Sequence, residues 1–266
     1  MNVLKRELRG GFRTVLIWTL IVAGLNVMMI AFIKSFTMDG QALQEFIKAF
    51  PPELIKAFGL DRISLADPIG YYATEIYLIV ILVGSIFAAL TGASLLAKEE
   101  DEKTVEFLLA RPISRGSVVV QKALACVVFL LFFNGVITMV NMVGYAVMVE
   151  QEYSQTALLH LSIAPLFAQL AFAGLAFLSG IFWTRRRAVY SVVMAMTMGT
   201  YFLGMVSLIS ERMAWLRWIS PFRYVEAADI AVAGSIHLPY ALGLLAVAIA
   251  CVGAANMLYA KRDIPV

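Results

Sequence analysis

Apolar residues gather in six long blocks, at 15–33, 76–97, 123–149, 158–183, 188–209 and 238–260, and no Asp, Glu, Lys or Arg falls inside any of them. The shortest block has 19 residues and the longest 27. About 20 residues of helix cross roughly 30 Å of hydrocarbon, so each block is long enough to span a bilayer, and the third and fourth have length to spare for tilt. The first block could pass for a leader. Its apolar run is too long for one, and Phe32-Ile33-Lys34-Ser35-Phe36 offers no small-residue cleavage site, so it is expected to stay as an anchor.

The intervening stretches carry patterns of their own. Leu4, Leu8 and Phe12 lie four apart among Lys5, Arg6, Arg9 and Arg13, which predicts a basic interfacial helix lying flat before the chain turns into the first block. Leu43, Phe46, Ile47 and Phe50 repeat at helical spacing, Pro51-Pro52 stops them, and Leu54, Ile55 and Phe58 start again, predicting short helices resting on one end of the bundle. Tyr71, Tyr72 and Tyr77 are expected in an interfacial aromatic belt. Between the last two blocks, Trp215, Leu216, Trp218 and Ile219 lead into Ser220, Pro221, Phe222, Arg223 and Tyr224. This stretch is too short and broken to cross, and predicts a re-entrant or surface-lying element that brings Glu226 and Asp229 close to membrane depth.

Composition turns these blocks into a class. The 266 residues are 61% apolar and 15% charged, against about 45–50% and 25% in soluble domains. A globule of this size cannot hide such an excess. The two cysteines, Cys126 and Cys251, both sit in apolar blocks, and the net charge of +3 is too small to indicate nucleic acid. The fold class is therefore an all-α integral membrane protein, a single domain over 1–266 with six transmembrane helices. Six crossings place both termini with the stretches 98–122 and 184–187, and this side holds 14 of the 21 Lys and Arg. That is about three times the density of the other side, so both termini are expected in the cytoplasm.

Chemistry is conspicuously thin. Apart from His160 at the edge of the fourth, no block contains an intramembrane acid or base of the kind that ion-coupled carriers and membrane enzymes use. No H-E-x-x-H, G-x-S-x-G or phosphate-loop motif occurs, so the chain is expected to be non-catalytic and to bind no cofactor. His160 and His237 are isolated, and Met194, Met196 and Met198 point to different helix faces, so no metal site is expected. Small residues at four-residue spacing mark faces for close helix approach: Gly84, Ala88 and Gly92; Ala176 and Gly180; Ala246, Ala250 and Ala254. They suit packing within one bundle or between two copies.

The stretch 98–122 is the most distinctive. Glu99, Glu100, Asp101 and Glu102 precede Thr104, Val105, Glu106, Phe107, Leu108 and Leu109, an acidic run followed by an apolar stripe on a short helix that must end before Pro112. Such a stripe beside the membrane needs cover, and four consecutive acids suit a protein better than anionic lipid. With Arg111, Pro112, Ile113, Ser114, Arg115 and Lys122, the stretch resembles the permease subunits of ABC exporters in the ABC type-2 membrane family. Lys103 stands where that pattern commonly has Gly. The basic N-terminal helix resembles the family's elbow helix. Ser220-Pro221-Phe222-x-Tyr224 resembles its outer element before the last span, and Lys261-Arg262-Asp263-Ile264 its C-terminal end.

The resemblance implies a multi-pass cell-membrane permease that forms the translocation pathway of an ATP-driven exporter. Residues 98–122 would contain a cytoplasmic coupling helix docked in a groove of a separate ABC ATPase. Glu99, Glu102, Thr104, Val105, Glu106, Leu108, Leu109, Arg111, Pro112, Ser114 and Arg115 would make that contact. A second permease copy, identical or related, would complete the pathway in the lipid bilayer. ATP and Mg would be used by the ATPase alone. Two other readings stay open on the sequence: a non-transporting membrane anchor of an ATPase, and a secondary carrier.

Overall fold

The computed structural model describes residues 3–37, 47, 49–101, 114–183, 185–209 and 211–261. Among them there are helices and no strands, and six helices are long and apolar enough to cross a membrane. Span one is Val3–Thr37. Span two runs through a short helix Pro68–Tyr71, a π-helical turn Tyr72–Ile76 and the long helix Tyr77–Asp101. Span three is Arg115–Met148, span five Arg186–Ile209 and span six Leu238–Lys261. Span four is divided into Gln155–Ile163 and Pro165–Ser179. The break falls at Pro165, which lacks the amide hydrogen needed to continue the ladder.

Several spans outrun their apolar blocks because local caps set their ends. Asp67 accepts a hydrogen bond from the Gly70 amide at 2.9 Å, and Pro68 follows it at the first helical position. Span two therefore begins eight residues before the apolar run. Ser114 caps span three through the Ser117 amide and Ser154 caps span four through Ala157.

Span one corrects one expectation. The basic N-terminal segment is not a separate elbow: it forms the first turns of a single 35-residue helix. Val3, Glu7, Val15, Thr19, Val22, Asn26, Ile30 and Ile33 make one buried seam along its whole length, and most of that seam packs on span three. At Gly11 a Cβ would come within 2.6 Å of the Phe129 ring, so this glycine allows close approach, and the helix runs unbroken through Gly10 and Gly11. Lys5, Arg9 and Arg13 stay exposed on the opposite surface, as the spacing predicts.

Spans two and four form the centre of the bundle, 61% and 67% buried along their apolar windows, against 17% for span five. Gly92 of span two faces the Ala173 carbonyl of span four, where a Cβ would sit only 2.4 Å away. Gly174, on the next position of span four, leaves 2.8 Å between such a Cβ and Ala248 Cα of span six. The small-residue faces read in spans two and four are thus packing faces. In span six the face packed within the bundle is a different one from the face read. Ala241, Leu244, Ala248, Cys251 and Ala255 are buried, whereas Ala246 and Ala250 point outward. Leu20, Met139, Val147, Phe202, Ile249 and Met257 are likewise turned outward, the expected surface of a bundle whose solvent is lipid.

The tyrosines are also not a belt. Tyr71, Tyr72 and Tyr77 are all buried, because each hydroxyl reaches a partner inside the protein. Tyr71 donates to the Met29 carbonyl at 2.9 Å, Tyr72 meets Ser162 and Asn141, and Tyr77 donates to the Val225 carbonyl.

Candidate functional site

Three polar assemblies stand out in this apolar scaffold, one at each end and one between. At the end that holds Val3 and Lys261, spans one, two and three converge on Lys122. Its side chain is 1% exposed, and its ammonium donates to the Leu95 carbonyl near the end of span two and lies 3.9 Å from the Glu7 carboxylate of span one. Arg6 also pairs with Glu7, at 2.8 Å, and the Leu4 amide donates to Gln121 at 3.2 Å. A buried lysine is stable only with such partners. Leu95 lies three residues before the stretch 98–122 and Lys122 is its last residue, so this contact ties span two to span three close to where that stretch departs. Beside it a cavity of about 290 Å³ is lined by Glu7, Thr14, Thr91, Ser94, Lys98 and Arg186.

Of the residues expected to couple, Glu99 falls in the last turn of span two, Ser114 caps span three and Arg115 opens it. Glu102, Thr104, Val105, Glu106, Leu108, Leu109, Arg111 and Pro112 lie outside the described residues. Lys122 belongs to the pattern quoted above, but its burial under Glu7 could not be read from spacing.

At the opposite end the stretch before span six folds into three short helices. Pro221–Val225 is a short 3-10 helix following another at Glu211–Trp218, and Ala227–Ala233 is a short α-helix closed by Gly234 at φ 64°. Phe222 packs its ring against Phe172 and Tyr201, with centroids at 4.9 and 5.6 Å. The Tyr224 hydroxyl donates to the Trp218 carbonyl at 2.7 Å. Ser220 is 1% exposed and its hydroxyl has no hydrogen-bond partner.

Four charges lock this element to the segment after span one. Arg62 binds Glu226 and, at 2.5 Å, Asp229; Arg223 binds Glu226 at 2.7 Å and Asp229 at 2.6 Å. Partial burial opposes ionisation of Asp229, but its contacts with Arg223 and Arg62 outweigh this and hold the carboxyl below the usual aspartate range. Below the element, spans two and five enclose a cavity of about 160 Å³.

Between the ends, uncharged amides carry the polar contacts. Asn26 of span one donates to Asn141 of span three at 2.9 Å, and Asn141 donates to the Tyr72 hydroxyl of span two at 2.6 Å. Tyr72 in turn lies 2.9 Å from the Ser162 hydroxyl of span four. A second set joins Asn134 to Gln169 at 2.6 Å and Gln169 to the Val80 carbonyl at 3.2 Å. A search for ionisable groups passes over these residues. An amide inside an apolar block was the signal that could have found them, since hydrocarbon makes it seek a partner helix. No group of His, Cys, Asp and Glu suited to a metal occurs among the described residues.

The model of one protein family, described as ABC-2 family transporter protein, matches residues 1–264. No curated protein matches the chain.

Proposed function

Because the chain belongs to the ABC-2 transporter family, whose members are membrane components of transporters, we propose that it is the permease subunit of an ATP-driven exporter. The observation that carries this reading is the family match over residues 1–264. Two features agree with it. Six apolar helices supply a membrane body, and the flanks of 98–122 are anchored by a buried Lys122–Leu95 contact.

In this reading the acidic and apolar stretch around Glu99, Glu102, Thr104, Val105, Glu106, Leu108 and Leu109 docks on a separate ABC ATPase. Arg111, Pro112, Ser114 and Arg115 follow it back into span three. Apolar side chains fill a groove on the partner while neighbouring charges set register and exclude wrong partners. The rigid anchorage passes the closure of the ATPase subunits to spans two and three. ATP and Mg belong to that partner, and two permease chains, identical or related, frame the pathway. The end with the termini faces the cytoplasm of the cell membrane.

Docking is tested by replacing Leu108 and Leu109 with Asp and purifying the chain with its ATPase. Co-purified ATPase should fall at least about tenfold, the effect of losing ~1.4 kcal/mol or more of binding, while membrane insertion is unchanged. Undiminished co-purification sinks the docking surface. Orientation is tested with single cysteines. Asp101→Cys should react with a membrane-impermeant thiol reagent only after the cytoplasmic side is opened, and Glu152→Cys should react in intact cells. The native Cys126 and Cys251 are buried and give little background.

A further inference from the structure

The cavity beneath the outer element has two chemically different parts. Its walls are apolar, formed by Leu78 and Ile81 of span two and Met205 and Leu208 of span five. At its rim two hydrogen-bond donors of the element have nothing to bind. The Ser220 hydroxyl is buried without a partner, and so is Nε of Arg217. Both residues line the cavity. The other polar groups there are engaged: Tyr77 donates to the Val225 carbonyl, and Arg223 and Glu226 are held in the four-charge lock. Arg217 makes no ion pair among the described residues, and its guanidinium lies 5.1 Å from the centre of the Trp218 ring. On the opposite wall Gly204 comes close to Ser220, and a Cβ there would stand 3.4 Å from its hydroxyl oxygen.

Unpaired donors in a water-poor site cost stability unless something accepts from them. A cation beside a hydroxyl favours an anionic acceptor, and the apolar walls favour a hydrocarbon body. We propose that this cavity binds an amphiphile with an anionic head, carboxylate or phosphate, seated on Arg217 and Ser220. Its chain lies between spans two and five. At about 160 Å³ the cavity takes the head and the first part of the chain, and the remainder leaves through its open side. The site deepens the permease reading by naming the chemistry carried at this end, and it rests on that reading only for the sense of traffic.

The test uses the full chain in nanodiscs of phosphatidylcholine, with a photoreactive dodecanoic acid and its methyl ester as probes. Labelled residues are located by mass spectrometry. The acid should label 73–81 and 201–208 at least fivefold more than the uncharged ester does. Arg217→Gln and Ser220→Ala should each reduce that labelling about fivefold, and Gly204→Val, which fills the cavity from span five, should abolish it. Arg212→Gln alters an exposed arginine that does not line the cavity and should have no effect. Equal labelling by acid and ester overturns the proposal, as does an Arg212→Gln effect matching that of Arg217→Gln, or full labelling in Gly204→Val. Competition by added phosphatidylglycerol assigns the site to a phospholipid head, and its absence to a free acid; either supports the chemistry proposed. No ATPase takes part, so failure here leaves the docking result standing, and failed docking leaves this one.

Discussion

The two ends of the bundle both depend on ion pairs, yet they are built on opposite principles. At the end with the termini, Lys122 and Glu7 are 1% and 3% exposed, Glu7 is shared between Lys122 and Arg6, and Lys122 also donates to the Leu95 carbonyl. At the other end Arg223 and Glu226 are 19% and 20% exposed, Arg62 and Asp229 36% and 43%, and each charge has two partners. In the first case low dielectric makes every contact strong and every loss severe. In the second, water screens the charges. The difference teaches that the contact beside 98–122 depends on exclusion of water, while the contacts of the element at the other end are open to it.

The contrast can be broken most directly at Lys122. Lys122→Met leaves the Glu7 carboxylate buried with only Arg6, and should destabilise the protein by about 3–5 kcal/mol, read as a lowered unfolding midpoint in detergent. Adding Glu7→Leu should restore most of the loss. If the single change costs no more than an exposed pair would, the two ends do not differ as described. The amides between them give an intermediate scale. Asn141→Leu removes its contacts with Asn26 and Tyr72 and should cost about 1–2 kcal/mol by the same measurement.

The smallest effect belongs to the outer lock. Asp229→Asn should cost under about 1 kcal/mol, because the group is well exposed. Its pH dependence has a definite sign. The native carboxyl titrates below the ordinary aspartate value of 3.8, so its contribution is complete above that value. It disappears as the pH falls through the lowered native value. Wild type should lose part of its stability over that interval and Asp229→Asn should not. Added salt should narrow the gap between them, and should leave the effect of Lys122→Met nearly unchanged.

How much of this was legible in the chain depends on which force decides each feature. The six crossings were, because an uninterrupted apolar run is a property of sequence alone. Their ends were not, since Asp67, Ser114 and Ser154 extend the helices through caps that no hydropathy pattern displays. The fate of Tyr71, Tyr72 and Tyr77 turned on whether an acceptor waited inside, and that is decided by residues as distant as Met29 and Val225. Small-residue spacing found faces packed inside the bundle in spans two and four, whereas in span six alanine recurs on two faces and the spacing marked the one turned outward. The charge lock on Arg62 joins residues more than 160 positions apart and leaves no local trace.

Span four is gripped on both sides without a side chain to act as cushion: Gly92 meets its Ala173 carbonyl, and its own Gly174 meets Ala248. Backbones in such contact have no slip plane, because a shift of one residue would drive a methyl group into a neighbouring main chain. Spans two, four and six must therefore translate as one block. Span five, the helix with the least of itself embedded, joins that block through Val189 and Val193, which are buried with Ala93 of span two and Ala176 of span four.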